Sequence, residues 1–311
     1  MMQYVHSFIR NIGEEKGLSR STLESYERDL LQFFEFVERQ GIQSANQIKK
    51  IHVSMYMNEM KSQSFASSTV TRKLVSLRSF FHYMVKESLL EQDPTLYLES
   101  PKLEKKIPQV LTVEQVEHLL AAPDISSPPG MRDKAMLELL YATGMKVSEL
   151  TALNLDDVNP DLKFLRCTSS SGKERVLPIS SMSAEAVGAY IKQMRPKLAR
   201  GREENGLFLN NHGTRLTRQG FWKILKKYAA ESGIDEGITP HTLRHSFAAH
   251  LLEDGADIRS VQEMLGHSDL SAAPLYGALT KKVMKDVYES HHPRERAYST
   301  QLKERSVYDN N

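Results

Sequence analysis

Thr239-Pro-His-Thr-Leu-Arg-His-Ser-Phe-Ala-Ala-His-Leu-Leu252 is the stretch on which the reading of this chain turns. Pro240 suits the first turn of a helix, where a missing N–H is no loss, and Gly255 ends the run. Helical spacing puts His241 and Arg244, at i and i+3, on one face. They sit near the helix N-terminus, whose backbone N–H groups favour an anion. An arginine fork matches two phosphate oxygens, and a histidine moves or donates a proton. Such a pair alone is weak evidence, because most H-x-x-R pairs carry no chemistry. Leu265-Gly266-His267 follows at an expected helix end, where a lone histidine is usually a cap. Tyr276 follows in Ala273-Pro-Leu-Tyr-Gly277, where a lone tyrosine is usually core. The order and spacing of His241, Arg244, His267 and Tyr276 are far more specific than any one of them.

Upstream, residues 1 to about 88 read as helices only. Tyr4, Val5, Phe8 and Ile9 have helical spacing, with no apolar core or cleavage site of a signal peptide. Ser19 or Ser21 caps a helix to about Arg39, with Leu23, Tyr26, Leu30, Phe33, Phe34 and Val37 on one stripe and Gly41 as its stop. A shorter helix covers about His52 to Lys61. Ser67 or Ser68 starts a long one that buries Val70, Leu74, Leu77, Phe80, Phe81 and Met84. Residues 91–108, punctuated by Pro94, Pro101 and Pro108, read as an extended linker. Beyond it, Thr112 and Gln115 form a capping box for a helix through Leu120. Pro123 to Gly130 reads as a loop, and a helix runs from about Arg132 to Ala142, stopping at Gly144. Phe164–Cys167 and Arg175–Leu177 read as a small hairpin. Helices are expected over about Ala184–Met194, Thr217–Ala230, Thr242–Glu253, Ile258–Leu265 and Lys281–Tyr288. The tail from Arg294 is polar and expected to fray.

The fold expected is therefore mainly α. A four-helix-type N-terminal domain covers 1–90 and a linker 91–108. A mixed α/β domain with a small antiparallel sheet covers 109–297, and a polar tail covers 298–311.

The 311 residues suffice for two domains that each bury a core. No run approaches the roughly 18 apolar residues of a membrane span. The single cysteine, Cys167, excludes an internal disulfide. A soluble cytoplasmic protein is expected. The net charge of +2 does not by itself indicate nucleic acid. Charge is uneven, however. Acidic residues crowd Glu24 to Glu38, and basic ones gather at Lys49-Lys50, Arg72-Lys73 and Lys102 to Lys106.

Four stretches together resemble the tyrosine site-specific recombinases of the phage integrase family: Y-A-T-G-M-K-V-S-E-L (141–150), 239–252, V-Q-E-M-L-G-H-S-D-L-S (261–271) and Tyr276. The resemblance extends over nearly the whole chain, including D-V-Y-E-S-H-H-P-R (286–294). It implies a DNA core-binding domain followed by a catalytic domain, closing on the duplex as a C-shaped clamp. Tyr276 would attack a DNA phosphate to form a 3′-phosphotyrosine. Arg244 would hold a non-bridging oxygen, with His241 and His267 hydrogen-bonded to the phosphate. The bond energy is retained, so religation needs no metal or nucleotide cofactor. The implied partners are double-stranded DNA, a homo- or hetero-tetramer with a XerC-like recombinase, and an FtsK-type translocase. The C-terminal helix near Val283 to Tyr288 would dock into a neighbouring subunit. The implied role is chromosome dimer resolution or a related integration or excision.

The sequence departs from the family pattern around the expected site. Lys146 stands where Y-A-T-G-x-R-V-S-E-L has its arginine, which keeps the charge and loses the fork. The family hairpin reads G-K-G-x-K-E-R. Here Ser169-Ser-Ser-Gly-Lys-Glu-Arg175 puts Ser170 at the position of the general-acid lysine. Serine has no proton of suitable acidity near pH 7. Lys173 is the candidate substitute acid, and a backbone contact to DNA is its plainer reading. Pro274 and Gly277 flank the tyrosine, where the family reads S-T-T-Q-x-Y-T-H-V. Removing a preorganised cation costs on the order of 10²–10³ in rate and a general acid about 10²–10⁴. Two readings follow: an active or weakly active recombinase, or a catalytically impaired paralogue with weakened or lost cleavage serving as a DNA-binding or partner subunit.

Overall fold

The computed structural model describes residues 1–101, 109–169, 172–234, 237–266 and 291–294. Ser170, His267, Pro274, Tyr276 and the helix expected over Lys281–Tyr288 lie outside the described residues. The chain divides into two compact units, Met1–Lys106 and Ile107–Asn311.

The first unit has four helices: α1 (Met2–Lys16), α2 (Arg20–Arg39), α3 (Lys50–Ser62) and α4 (Ser67–Lys86). Ser19 caps α2 by accepting from the Thr22 N–H at 3.3 Å. The apolar stripes meet in an aromatic core. Phe34 and Phe80 pack edge to face with centroids 5.5 Å apart, and Phe33 lies near-perpendicular to Phe81 at 6.1 Å. The basic pair Arg72-Lys73 is not a surface patch. Lys73 is buried, with its ammonium 3.5 Å from Asp29. Asp29 also accepts from Ser76 Oγ at 2.9 Å and pairs with Arg72. The period of α4 turns position 73 toward α2, and a buried charge requires a partner. After α4 the chain lies back along it. Arg78 donates to Ser100 Oγ and to the Leu98 carbonyl, and Asp93 accepts from the buried Thr95.

The second unit places α6 (Pro128–Thr143) at its centre, with Ala135, Met136, Leu137, Leu139, Leu140 and Tyr141 fully buried. The helix starts four residues before the sequence reading had it, at Pro128, with Ser127 accepting from Gly130 N–H at 3.2 Å. Gly130 therefore belongs to the first turn and not to a loop. A Cβ there would stand 1.9 Å from the Asp124 carbonyl oxygen, so the close approach requires glycine. Around α6 pack α5 (Val113–Ala121), α7 (Val147–Ala152), α8 (Ser181–Ala189), α9 (Arg195–Ala199), α10 (Arg218–Glu231), α11 (Pro240–Glu253) and α12 (Ile258–Leu265). A wider π turn, Tyr190–Met194, joins α8 to α9.

The antiparallel sheet has three strands in sequence order: β1 (Val158–Asn159), β2 (Phe164–Thr168) and β3 (Glu174–Pro178). The sequence shows β2 and β3; β1, at two residues, is too short to display a period. Cys167 pairs with Arg175 and Leu165 with Leu177, so these four project from one face. Leu165, Cys167 and Leu177 are buried in the core, and burial pushes the Cys167 thiol up to about 12.

The tail does not begin to fray at Arg294. That residue is 3% exposed, donates to Glu138 Oε2 at 3.2 Å and also pairs with Glu117. His292 is fully buried between Tyr141 and Phe247, ring centroids 5.2 and 5.7 Å away. Burying this guanidinium is offset by its two carboxylates, and the sequence alone does not show Glu117 and Glu138 converging there. Among the described residues no helix is long and apolar enough to cross a membrane.

Candidate active site

The first turn of α11 is set by Thr239, whose hydroxyl accepts from the Thr242 N–H at 3.3 Å, and by Pro240 in the first helical position. That turn opens onto a cavity of about 440 Å³ lined by Lys146, His241, Arg244, Arg218 and Trp222 among others. Three of the expected site residues therefore share one pocket within the second unit. Lys146 and His241 are exposed to it, whereas Arg244 forms part of its floor at 7% exposure.

Arg244 is held by uncharged oxygens. One terminal nitrogen donates to the Gly144 carbonyl and the other to the Leu265 carbonyl, both at 2.6 Å. These carbonyls close α6 and α12, so the guanidinium sits at the negative ends of two helices. Gly144 and Gly266 cap those helices in the left-handed conformation, with φ of 59° and 69°. A Cβ on Gly144 would stand 2.3 Å from the Phe247 ring. Both the turn and the close approach therefore require glycine at 144. Carbonyls orient the arginine without neutralising it. Burial works against its charge and lowers its pKa, while the nearby Glu149 supports the charge.

A second arginine ties the surroundings together. Arg175 makes a two-pronged pair with Glu149, at 2.9 and 2.8 Å, and donates through Nε to the Met264 carbonyl at 3.2 Å. Glu149 Oε2 also accepts the Lys146 N–H at 2.8 Å, which fixes the start of α7. Burial opposes the charge on Glu149. The Arg175 guanidinium and the Lys146 N–H outweigh it and hold the carboxyl below its usual range. The Cys167–Arg175 register explains this reach, because the arginine leaves β3 from the sheet's inner face. The hairpin, α7 and the end of α12 are thus joined through one guanidinium. Among the described residues, Lys146, Arg175 and Arg244 stand around the carboxylate of Glu149.

Lys173 is exposed on the hairpin and does not line the pocket. Its N–H donates to Ser169 Oγ at 3.1 Å, and Gly172 closes the turn with φ of 79°. His245 shares the outer face of α11, its ring centre 6.4 Å from that of His241. Burial, followed by His241 and Arg244, lowers its pKa. Sequence reasoning missed Glu149, Arg175, Arg218 and Trp222. The first two carry no signal without their partner. Arg218, Trp222 and Lys226 follow one another at i, i+4 and i+8 of α10, and that stripe of two cations and an exposed indole was a legible signal.

Residues 109–282 match the Phage integrase family, and residues 5–88 match the Phage integrase N-terminal SAM-like domain. The chain belongs to the phage integrase family. Its integrase relatives include the tyrosine recombinase XerD of Listeria monocytogenes serotype 4b, 44% identical over 296 residues, covering 94% of this chain and all of the relative. XerD of Halalkalibacterium halodurans is 47% identical over 281 residues, covering 90% of this chain and 94% of the relative. Among solved structures, the fold is shared with the XerH recombinase in its post-cleavage complex with a palindromic difH substrate. The TM-score is 0.66 at 17% identity, over 93% of this chain and 95% of that one. It is also shared with the Tn1549 transposon integrase in complex with circular intermediate DNA, at a TM-score of 0.64 and 16% identity, over 96% and 98%.

Proposed function

We propose that this integrase-family chain is a site-specific DNA recombinase that cuts and rejoins strands through a 3′-phosphotyrosine on Tyr276. The observation that carries the reading is the pocket shared by Lys146, His241 and Arg244, with Arg244 anchored by carbonyls that orient it without neutralising it. Phosphoryl transfer is mostly positioning and electrostatic stabilisation, and a buried, oriented guanidinium supplies both. In the proposed reaction the Tyr276 oxygen bonds to phosphorus while the bond to the 5′-oxygen breaks, and that oxygen leaves as a hydroxyl. Arg244 and Lys146 hold the non-bridging oxygens. His241 and His267 hydrogen-bond the phosphate and assist proton movement. The phosphotyrosine conserves the bond, so the rejoining step reverses the first on a new strand.

Cleavage is slowed by the departures at Lys146 and Ser170. Lys146 offers a point charge where a fork would bind two oxygens, and Ser170 offers no acid to the leaving oxygen. Lys173 is the substitute donor in this scheme. The working assembly is a tetramer on double-stranded DNA in the cytoplasm, formed by this chain alone or with a XerC-like recombinase. An FtsK-type translocase is a further proposed partner, and chromosome dimer resolution the proposed role.

The test uses a duplex selected by the protein from a randomised pool and rebuilt with a nick, so that the cleaved product cannot be rejoined. A covalent protein–DNA adduct on denaturing gels, lost in Tyr276→Phe, is the expected result. Retardation on native gels with no adduct after long incubation would overturn the cleavage reading.

A further inference from the structure

Trp222 is the sole tryptophan of the chain and stands on α10, with 47% of its surface exposed. Phe221, one position earlier, is fully buried in the core. The helix therefore anchors through its inner face and turns the indole outward. Leaving so large an apolar ring in water forfeits what burial would contribute, so its place needs an account. That place is the wall of the pocket that also contains Lys146, His241 and Arg244. Among the described residues the other exposed large aromatics, Phe65 and Tyr97, belong to the first unit. Lys226, one turn further along α10, holds its ammonium 5.7 Å from the Trp222 ring centre. That contact steadies the ring.

We infer that Trp222 packs on the deoxyribose or base next to the phosphate held by Lys146, His241 and Arg244. The inference rests on the reading of that pocket as a DNA phosphate site. Three features argue for a nucleoside over a protein partner. The pocket joins a flat apolar surface to cations, and a nucleotide presents the complementary pair, an apolar sugar and base face beside an anion. Arg218, one helical turn before Trp222, lines the same pocket, so a strand crossing the ring meets a further cation beside it. The covering nucleoside also shuts water from the reacting phosphate, and the cations act more strongly in the drier site.

A single tryptophan makes the test direct. The un-nicked selected duplex is titrated into the full chain while emission and acrylamide quenching are recorded, with native gels run on the same samples. The expected result is a change in emission that tracks retardation, with the indole shielded from acrylamide in the complex. Trp222→Ala should bind roughly tenfold more weakly, and Trp222→Phe should recover most of that loss because an aromatic face is restored. Full retardation with unchanged emission and unchanged acrylamide access would overturn this inference and leave the phosphate site standing. Absence of retardation on every duplex would remove the phosphate reading and this inference with it.

Discussion

Each unit buries a carboxylate between two cations, and the two clusters use their charges differently. In the first unit Asp29 meets both Arg72 and Lys73 directly, at the seam of α2 and α4. In the second, Glu149 takes both prongs of Arg175, and Arg244 rests on two carbonyls instead. The Asp29 cluster is closed: its charges answer one another and hold two helices together. The Glu149 cluster is open, because Arg244 is oriented by groups that carry no formal charge and Lys146 faces the same pocket. The difference separates a structural ion cluster from one that we propose receives an anion, a distinction that neither burial nor residue type makes.

The largest expected effect breaks the comparison at its carboxylates. Glu149→Ala leaves Arg175 largely buried and unable to shed its proton, and should cost about 3–5 kcal/mol in urea unfolding. Asp29→Ala should cost less, because Lys73 can deprotonate. Burial already lowers its pKa, and Arg72 is half exposed. Equal losses would show that the two clusters are of one kind. Asp29→Ala should also leave the adduct-forming rate at saturating DNA unchanged in the folded protein.

A smaller effect sharpens the open cluster. Lys146→Arg combined with Ser170→Lys should raise the single-turnover rate of adduct formation by about 10²-fold, restoring a phosphate fork and a leaving-group acid. An unchanged rate would move the fault to the tyrosine segment around Pro274.

A further effect concerns pH. Burial lowers the pKa of His292 to about 3, so the folded protein refuses a proton that the unfolded chain accepts from about pH 6.5 downward. Stability should therefore fall as pH drops through that window, by at most about 1.4 kcal/mol per pH unit, and be independent of this group above it. His292→Gln should flatten that slope, measured by urea midpoints across the range. A slope identical to that of the parent would contradict the burial account.

The helices were legible in the sequence because their apolar stripes are long and their starts are marked by Ser19, Thr112 and Pro240. The pocket was partly legible, since His241 and Arg244 are spaced by one helical turn. Lys146, about a hundred positions away along the chain, joins them in the sequence only through the family resemblance. What holds them was not legible. Glu149 and Arg175 are strong partners only once the hairpin folds against α7, and Arg244 is fixed by backbone oxygens, which have no letter in a sequence. Arg294 looked like a polar tail for the same reason: its two carboxylates lie far upstream on α5 and α6.

The central claim is the proposal that Arg244, oriented by backbone carbonyls, holds a DNA phosphate. It is tested by single-turnover adduct formation on the nicked duplex with Arg244→Lys and Arg244→Ala, alongside native-gel affinity and thermal unfolding of each variant. The account predicts folded proteins that still retard the duplex, since many phosphate contacts share the binding, with adduct formation slowed on the order of 10²–10³-fold. Folded variants that form adduct at the parent rate would contradict it.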